Sequence, residues 1–350
     1  MSVDSLKKLH IAIYGAGAMG TVLGSLLTLG GVSVDLITRN KAHAQALKEQ
    51  GATIVCEAEN KELQVKVNAL LPEEMRKKYD VVFLMTKQRE NKAILQFLRP
   101  HLADDFVLCT TQNGLPELSI SEIVDTKHIY GAATSFGATF LGEGKVSLTS
   151  KFDGMTMDVG GYQNDGAKTA LLIEILSAAG AAVGKEDFAR SSDNLIGARW
   201  SKLAINAAFS GLSVVTGLTF GKIAKRSKSR KIALGILREC MDVAEAAGVR
   251  MEKMQGHDMR KLLGGKSLFR RMFAYTVLPF AMRKHKKLVS GMLKDVQNGK
   301  KCEIDFINGA VCKEGARVGV ETPLCDKVVE LTKGIENGLY ELCYNNVVFF

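Results

Sequence analysis

The stretch IAIYGAGAMGTVLG, residues 11–24, decides the fold of this 350-residue chain. Residues 9–14 form a short apolar run that predicts a buried strand, and small and apolar residues after the glycines recur at helical spacing. The segment VSVDLIT, residues 32–38, predicts a second strand. A strand, a helix and a second strand within about 30 residues indicate a βαβ unit, and therefore a parallel sheet.

Three glycines lie at the turn between the first strand and its helix. In a dinucleotide-binding loop the first glycine permits a tight turn, the second lets the backbone approach a pyrophosphate, and the third lets helix and strand pack closely. The phosphates then lie at the helix N-terminus. The alternative is a purely structural turn. The predicted cofactor-binding loop is Gly15, Ala16, Gly17, Ala18, Met19 and Gly20.

The residues at the end of the second strand indicate which dinucleotide would bind. An NAD site usually carries an acidic residue there for the ribose 2'-hydroxyl, whereas an arginine can bind a 2'-phosphate through two hydrogen bonds. Thr38 and Arg39 occupy this place, and Asp35 lies too early, within the strand. The sequence therefore favours NADP(H) over NAD(H), unless Arg39 only extends into solvent.

Two further apolar runs, at 79–87 and 105–114, predict strands that end in polar residues. Ligands of open α/β sheets bind at the carboxyl ends of strands, so Lys87 and Asn113 are expected near the cofactor. After Tyr130, short strands with glycine turns predict hairpins at the far edge of this sheet.

From about residue 190 the apolar pattern becomes helical, with only five prolines in the whole chain. We therefore predict an α/β protein of two domains. Residues 1–190 would form an N-terminal Rossmann-type NADP-binding domain, and residues 191–350 a C-terminal all-α domain that supplies substrate and catalytic groups.

Composition limits the classes of function. No apolar run reaches the roughly 20 residues that cross a bilayer, and MSVDSLKKLH lacks the apolar segment of a secretory signal, so a cytoplasmic protein is expected. The seven cysteines form no C-x-x-C pair and no cluster with histidines, so no metal site is expected. The net charge is +10, yet residues 221–301 alone carry 21 Lys and Arg against 6 Asp and Glu.

One segment of the second domain contains candidate catalytic and substrate-binding residues. In NLIGARWSKLAINAAFSGLSVVTG, residues 194–217, Lys202, Asn206 and Ser210 recur every four residues and would share one helix face. The apolar neighbours would bury most of this helix, so the lysine is expected to face a cleft. The alternative is a lysine whose stem covers apolar surface while its ammonium reaches solvent.

These segments together resemble the ketopantoate reductases, within the larger 6-phosphogluconate-dehydrogenase-like group. The resemblance covers the full length: GAGAMG, then TR, TK and QNG after successive strands, RWSKLAINA at the start of the helical region, and SGMLKDVQNGKKCEIDFINGAV before ETP. It implies NADPH-dependent reduction of a 2-oxo acid to a 2-hydroxy acid, with 2-dehydropantoate to pantoate, a step of pantothenate biosynthesis, as the expected reaction. Two alternatives stay open: a different carbonyl or imine substrate on the same fold, or a non-catalytic NADP-binding protein with an anionic partner.

The resemblance also implies roles for single residues. Lys202 matches the lysine of a W-x-K-L motif that protonates the developing alkoxide, and a cation there stabilises charge that grows only in the transition state. Asn206 matches a substrate-binding asparagine, and Glu303 would orient the lysine. The residues implied on the cofactor side are Lys87, Asn113, Gly137 and Glu303.

The substrate side departs from the family pattern at three positions. Ser210 and Phe220 stand where the family has asparagines, and Gly291 stands where it has a serine, with Ser290 one step earlier. A site that binds its substrate through hydrogen bonds discriminates by those polar groups, so the true substrate is in question. The predicted substrate-binding residues are Lys202, Asn206, Ser210 and Ser290.

A second departure is length. Residues 253–288 exceed what compact family members have here, and MFAYTVLPFAM lies between RR and RKHKK. We favour extra helices, over the active-site cleft or at the interface of a possible homodimer, rather than contact of the basic region 221–301 with a membrane or nucleic acid. The run is too short to span a bilayer and lacks interleaved stacking aromatics. The apolar tail YNNVVFF, residues 344–350, also requires cover, from its own core or from a partner.

Overall fold

A computed structural model describes residues 6, 8–163, 165–254, 256–265 and 267–350, apart from the side chain of Lys284. The chain forms two compact units. The first consists of Met1–Gln112 and Pro116–Leu195, and the second of Asn113–Leu115 and Ile196–Phe350.

The first unit contains two sheets and the helices that cover them. Its strands are β1 Ile11–Tyr14, β2 Val34–Ile37, β3 Ala52–Cys56, β4 Lys61–Val65, β5 Asn68–Leu70, β6 Tyr79–Leu84, β7 Leu102–Thr110, β8 Ile129–Thr134, β9 Ala138–Gly142, β10 Lys145–Leu148, β11 Met157–Gly161 and β12 Ala189–Ser191. Its helices are α1 Ala18–Leu29, α2 Lys41–Gln50, α3 Asn91–Leu98, α4 Pro116–Ser121 and α5 Gly166–Ala181.

The larger sheet has the strand order β12-β11-β8-β7-β6-β1-β2-β5. The strands from β8 to β5 are parallel, and β11 runs antiparallel to β8. Every residue of β1 is buried, as expected of a strand covered by helices on both faces. Tyr14, the last residue of β1, lies opposite Ile37 of β2 and Leu84 of β6. The carboxyl ends of these three strands therefore lie side by side and position the loops that follow them.

The smaller sheet corrects one prediction. The glycine-rich hairpin of β9 and β10 was expected at the far edge of the main sheet, but it joins β3 and β4 in the order β4-β3-β10-β9. The apolar pattern did not predict β3, β4 or β5, which lie between β2 and β6 along the chain. A turn motif specifies a local hairpin, whereas burial against other elements decides which strand it pairs with.

The second unit is helical. Its helices are α6 Leu195–Ile205, α7 Leu212–Thr216, α8 Phe220–Lys225, α9 Ser227–Ala246, α10 Met259–Leu263, α11 Leu268–Ala281, α12 Gly291–Gln297, α13 Asn308–Val318 and α14 Pro323–Glu336, and a π-helical segment, Asn206–Gly211, joins α6 to α7. Across its described ranges the one β-bridge is between Met254 and His257. The predicted α/β class, with a Rossmann-type first part and an all-helical second part, is confirmed.

The long segment 253–288 forms two of these helices, α10 and α11. Helix α11 buries Ala274 and Leu278, while its opposite side exposes large apolar side chains. These are Leu268, Phe269, Met272, Phe273 and Phe280, which are 55 to 85% exposed. None of the helices in the described ranges combines the length and the apolar character that a bilayer crossing requires.

The apolar C-terminal tail is partly covered by its own unit. Tyr344–Phe349 forms a 3₁₀ helix against α7. The buried amide of Asn346 donates to the carbonyl oxygens of Val215 (2.9 Å) and Glu341 (2.8 Å), which anchors the tail. Val348 and Phe349 stay exposed.

Candidate active site

The three glycines of the loop after β1 meet three different steric demands. Gly15 has φ +108°, and a Cβ there would lie 2.7 Å from the backbone nitrogen of Thr86. A Cβ on Gly20 would lie 2.4 Å from the carbonyl oxygen of Gly15, because α1 packs closely on the loop. A Cβ on Gly17 would meet no atom within 4 Å and would extend into open space. The middle glycine thus leaves room for a ligand, while the outer two permit the turn and the packing.

The backbone of this loop is rigidly held. The amides of Gly15 and Ala16 both donate to the Ile37 carbonyl, at 3.0 and 2.8 Å. Helix α1 begins at Ala18, and no side chain within the described ranges caps its first turn, whose N-cap is Gly17. A helix N-terminus without a side-chain cap leaves amide donors and the positive end of the helix dipole for an anion. These features, beside the open space at Gly17, fit a dinucleotide pyrophosphate.

A pocket of about 360 Å³ opens at the carboxyl ends of β1, β2 and β6. This volume suits part of a small-molecule ligand. Its lining residues are Tyr14, Gly15, Gly17, Ile37, Thr38, Arg39, Asn40, Pro72, Met85, Thr86, Lys87 and Glu90. The glycine loop, Arg39 and Lys87 are therefore brought together, as the sequence predicted for strands that end at one edge.

Arg39 lies on the rim of this pocket and pairs with the carboxylate of Glu90. Asp35, which the sequence placed too early to contact a ribose, is buried within the sheet. Its carboxylate accepts hydrogen bonds from the Tyr79 hydroxyl (2.8 Å), the Asn68 amide (2.6 Å) and the Lys77 ammonium (3.1 Å). Asp35 therefore has a structural role, whereas Arg39 after β2, and Lys87 and Glu90 after β6, are the charged residues that line the pocket.

The loop that carries Lys87 is braced by a buried glutamine that sequence reasoning did not single out. The Gln112 amide nitrogen donates to the Thr86 carbonyl (2.8 Å) and to Asn91 Oδ1 (2.7 Å). Its oxygen accepts from Asn91 Nδ2 and from Thr110 Oγ1, both at 3.1 Å. The available signal was its place in TQNG, directly after a buried strand.

A buried histidine supports the glycine loop from behind. His43 Nδ1 accepts from the Gly144 amide (2.9 Å), so Nε2 carries the proton and donates to Thr21 Oγ1 (3.1 Å). Thr21 Oγ1 in turn donates to the Ala16 carbonyl (3.4 Å). Burial lowers the pKa of His43, which keeps the ring neutral for this arrangement. The chain of contacts ties the loop to the β9–β10 hairpin.

In the second unit, Lys202 lies on α6 between fully buried neighbours. Trp200 and Leu203 are in the core, whereas Lys202 and Asn206 are half-buried. This pattern agrees with one accessible strip on an otherwise buried helix. The prediction that Ser210 continues that face needs correction, because Asn206–Gly211 is π-helical. Its i→i+5 hydrogen bonds widen the turn, so residues four apart are no longer directly above one another, and Ser210 is buried.

Asn308 supports the π-helical segment from α13. It is fully buried, and its Nδ2 donates to the Ala207 carbonyl (3.1 Å) within the π turn. Gly211 allows this approach, since a Cβ there would lie 2.4 Å from Asn308 Oδ1. π turns occur frequently at functional sites. Asn308, which sequence reasoning missed, belongs to the INGAV segment quoted for the resemblance.

The structure places the remaining predicted cofactor-side residues as follows. Glu303 precedes the 3₁₀ turn Ile304–Phe306, and Asn113 is exposed and groups with the second unit. Gly137 lies outside the set that lines the pocket, and its carbonyl accepts from the Thr149 amide (2.9 Å) and hydroxyl (2.8 Å).

The substituted positions also have defined places. Ser290 is buried and caps α12 by accepting from the Leu293 amide (3.0 Å). Gly291 starts that helix, and a Cβ there would meet no atom within 4 Å. Phe220 is buried, with its ring 5.4 Å from that of Phe209, so this position is part of the core of the unit.

In the ranges the structure covers, no group of three or more His, Cys, Asp or Glu side chains could hold a metal ion.

Two family models match this chain. Residues 11–160 match "Ketopantoate reductase PanE/ApbA", and residues 194–336 match "Ketopantoate reductase PanE/ApbA C terminal". The 2-dehydropantoate 2-reductase of Archaeoglobus fulgidus is 25% identical over 330 residues, which cover 94% of this chain and 99% of that protein. The same enzyme of Lactococcus lactis subsp. lactis is 26% identical over 331 residues, 94% of this chain and 98% of that protein.

Solved structures agree with the family models. D-mandelate dehydrogenase in a ternary structure with NADH and anilino(oxo)acetate superposes with TM-score 0.78 at 26% identity, over 95% of this chain and 99% of that one. The 2-dehydropantoate 2-reductase of Geobacter metallireducens superposes with TM-score 0.77 at 25% identity, over 93% of this chain and 99% of that one. Fold, glycine loop and full-length similarity agree, and this chain belongs to the ketopantoate reductase family.

Proposed function

We propose that this chain reduces a small 2-oxo acid to the 2-hydroxy acid with NADPH, and that 2-dehydropantoate, giving pantoate, is the substrate. The observation that carries the proposal is the glycine loop, where the open space at Gly17 meets an uncapped helix N-terminus. Membership of the ketopantoate reductase family supports the choice of substrate. Residues 1–190 would hold the cofactor, and residues 191–350 would supply the substrate and catalytic groups.

The proposed mechanism divides the work between the cofactor and the side chains. Bound NADPH supplies a hydride for the carbonyl carbon of the substrate. The cofactor-binding residues would be Gly15, Ala16, Gly17, Ala18, Met19, Gly20, Arg39, Lys87, Asn113, Gly137 and Glu303. As the carbon–oxygen double bond is reduced, the Lys202 ammonium stabilises the negative oxygen and donates the proton that completes the hydroxyl group. Glu303 is proposed to orient Lys202.

Substrate binding is proposed to use hydrogen bonds from the helical unit. Asn206 is half-buried and lies four residues after Lys202, and the Ser210 and Ser290 hydroxyls are the other proposed contacts. Ser290 already accepts from the Leu293 amide, so its hydroxyl proton remains the group it can offer to a carboxylate.

The reaction itself provides the test of this function. Loss of NADPH absorbance is followed with 2-dehydropantoate, with other branched 2-oxo acids and with a phenyl-substituted 2-oxo acid. The last is included because a similar structure is a D-mandelate dehydrogenase. The highest kcat/KM is expected for 2-dehydropantoate. A higher kcat/KM for another acid would contradict the proposed substrate. NADPH binding without turnover of any carbonyl compound would contradict the proposal that the protein is an enzyme.

Preference for NADPH over NADH is proposed from Arg39. A guanidinium on the pocket rim can bind the 2'-phosphate bidentately, although it must exchange part of its pairing with Glu90. The ion pair favours the alternative cofactor, NADH, because it already gives the Arg39 guanidinium an anionic partner. Replacing Arg39 with glutamine is expected to raise KM for NADPH about tenfold to a hundredfold, since a hydrogen bond to a charged group contributes about 1.5–3 kcal/mol.

The matched comparison for Arg39→Gln is the same measurement with NADH, for which a change of less than about threefold is expected because no 2'-phosphate is present. Lys92→Gln removes the same charge from an exposed site on α3 and should leave both KM values unchanged. Equal effects of Arg39→Gln on both cofactors, or a wild-type preference for NADH, would contradict the proposal.

A homodimer is proposed through the exposed face of α11. Leu268, Phe269, Met272, Phe273 and Phe280 share one side of this helix and are each more than half exposed, so they form an apolar patch of the kind that marks protein–protein contacts. We expect sedimentation of the purified protein to give twice the chain mass, and Phe273→Asp to give the single mass. Leu141→Asp, at an exposed apolar residue of β9, should stay dimeric. A monomeric wild-type protein would contradict the proposed interface.

A cytoplasmic location of this protein stays a prediction.

A further inference from the structure

Helices α9 and α11 pack against each other and leave a groove of about 450 Å³ between them. Its lining residues are Lys231, Leu234 and Arg238 from α9, and Arg271, Met272, Tyr275 and Thr276 from α11. On α9 these residues are three and four positions apart, and on α11 two adjacent pairs are four positions apart, so each set lies on one side of its helix. None of them is a proposed catalytic, cofactor-binding or substrate-binding residue, and one of them, Met272, also belongs to the exposed apolar face of α11 proposed for the homodimer. The groove is therefore a second candidate site, within the strongly basic region 221–301.

The residues that line this groove include cations but no acidic side chain. Three of the seven lining residues carry positive charge and none carries negative charge. Asp242, one turn along α9 from Arg238, is held by Arg260, with 2.5 Å between Oδ1 and Nη1. Glu239, the neighbour of Arg238, accepts from the backbone amides of Leu324 (2.8 Å) and Cys325 (2.9 Å) at the start of α14. The acidic side chains closest in sequence thus have other partners.

Arg238 is the most constrained of the three cations. Its Nε is buried and has no hydrogen-bond partner among the described residues. Burial, and secondarily the charge of Arg271, lower the pKa of its guanidinium, and the charge of Asp242 opposes them in part; arginine remains charged at neutral pH. A buried N–H donor without a partner raises the free energy of the folded chain, as do two guanidinium groups that repel each other. A bound anion would relieve both.

The rest of the groove is mostly apolar, and its tyrosine ring is held in place. Tyr275 donates from its hydroxyl to Ser227 Oγ (2.9 Å), and the Arg230 guanidinium lies 4.3 Å from the centre of its ring. These contacts hold the ring at the wall of the groove. Leu234 and the exposed Met272 add aliphatic surface. An organic group attached to the anion could therefore pack beside the cations.

We propose that this groove binds the phosphate group of a small organic phosphate. Guanidinium forks match phosphate oxygens bidentately, and a lysine adds a point charge. Three positive charges suit a dianionic phosphate better than a singly charged carboxylate. The proposal does not depend on the reaction proposed above, because it concerns binding at residues that the reaction does not use.

The test is calorimetric titration with phenyl phosphate at constant ionic strength. Wild-type protein is expected to bind saturably, and Arg271→Gln and Arg238→Gln are expected to weaken Kd at least tenfold. Arg271 is exposed, so its replacement should not disturb folding even if Arg238→Gln does. Arg270→Gln is the matched control, since it removes the same charge from the adjacent residue, which does not line the groove. Its Kd should equal that of the wild type.

A phosphate could also bind to the pocket of the first unit, and Arg39→Gln separates the two sites. The proposal expects Arg39→Gln to keep the wild-type Kd for phenyl phosphate. Loss of binding in Arg39→Gln with retention in Arg271→Gln would overturn it, as would equal binding by all variants or no saturable binding. As a second readout, phenyl phosphate should raise the unfolding temperature of the wild type and of Arg270→Gln, but not of Arg271→Gln.

Discussion

Replacing Lys202 with methionine is expected to lower kcat by about 10²- to 10⁴-fold, the usual contribution of a positioned general acid. Methionine has a similar length and no charge, so the change removes both the proton and the cation that stabilises the developing alkoxide. Lys202 is half-buried beside Trp200 and Leu203, which hold the helix in the core. The measurement is kcat at saturating NADPH and 2-dehydropantoate.

Two controls make the Lys202 result specific. Lys222→Met removes a lysine from an exposed site on α8 and should keep the wild-type kcat. The Kd of Lys202→Met for NADPH and its unfolding temperature should also match the wild type, which would show that chemistry alone is affected. A kcat within about threefold of the wild type would remove Lys202 from the mechanism.

Replacing Gly15 with alanine is expected to abolish measurable NADPH binding and to destabilise the protein by about 2–4 kcal/mol. Gly15 has φ +108°, a region that L-residues rarely adopt. Its new Cβ would also lie 2.7 Å from the Thr86 nitrogen and 2.8 Å from the Met85 carbonyl carbon. Both contacts are with backbone, so the loop or the segment directly after β6 must move. Chemical denaturation and a binding titration measure the two effects.

Two other glycines separate the causes of this effect. Gly31 has φ +82° with nothing within 4 Å of a Cβ, so Gly31→Ala should cost only about 1 kcal/mol and leave NADPH binding unchanged. In Gly17→Ala the methyl group enters the open space, so folding should be retained while NADPH binds more weakly. If Gly15→Ala were as stable as Gly31→Ala, that result would contradict the close approach of Gly15 to the backbone of Met85 and Thr86.

Local sequence was sufficient for the parts of this protein that depend on near neighbours along the chain. The βαβ unit follows from apolar periodicity, and the glycine spacing in residues 15–20 anticipated three steric demands that the structure shows separately. Arg39 and Lys87 reach one pocket because the strands before them, β2 and β6, both run parallel to β1 and flank it on either side. Lys202 is half-buried on a buried helix, as its apolar neighbours indicated.

Tertiary structure alone decided the features that depend on partners distant in sequence. The β9–β10 hairpin joined β3 and β4, because a turn motif does not specify which sheet edge it meets. The π turn displaced Ser210, since periodicity assumes regular helix and cannot register the Asn308 contact across 101 residues. The cationic groove exists only because α9 and α11 pack together. Sequence spacing reports which side of an element is buried, whereas packing selects what lies against it.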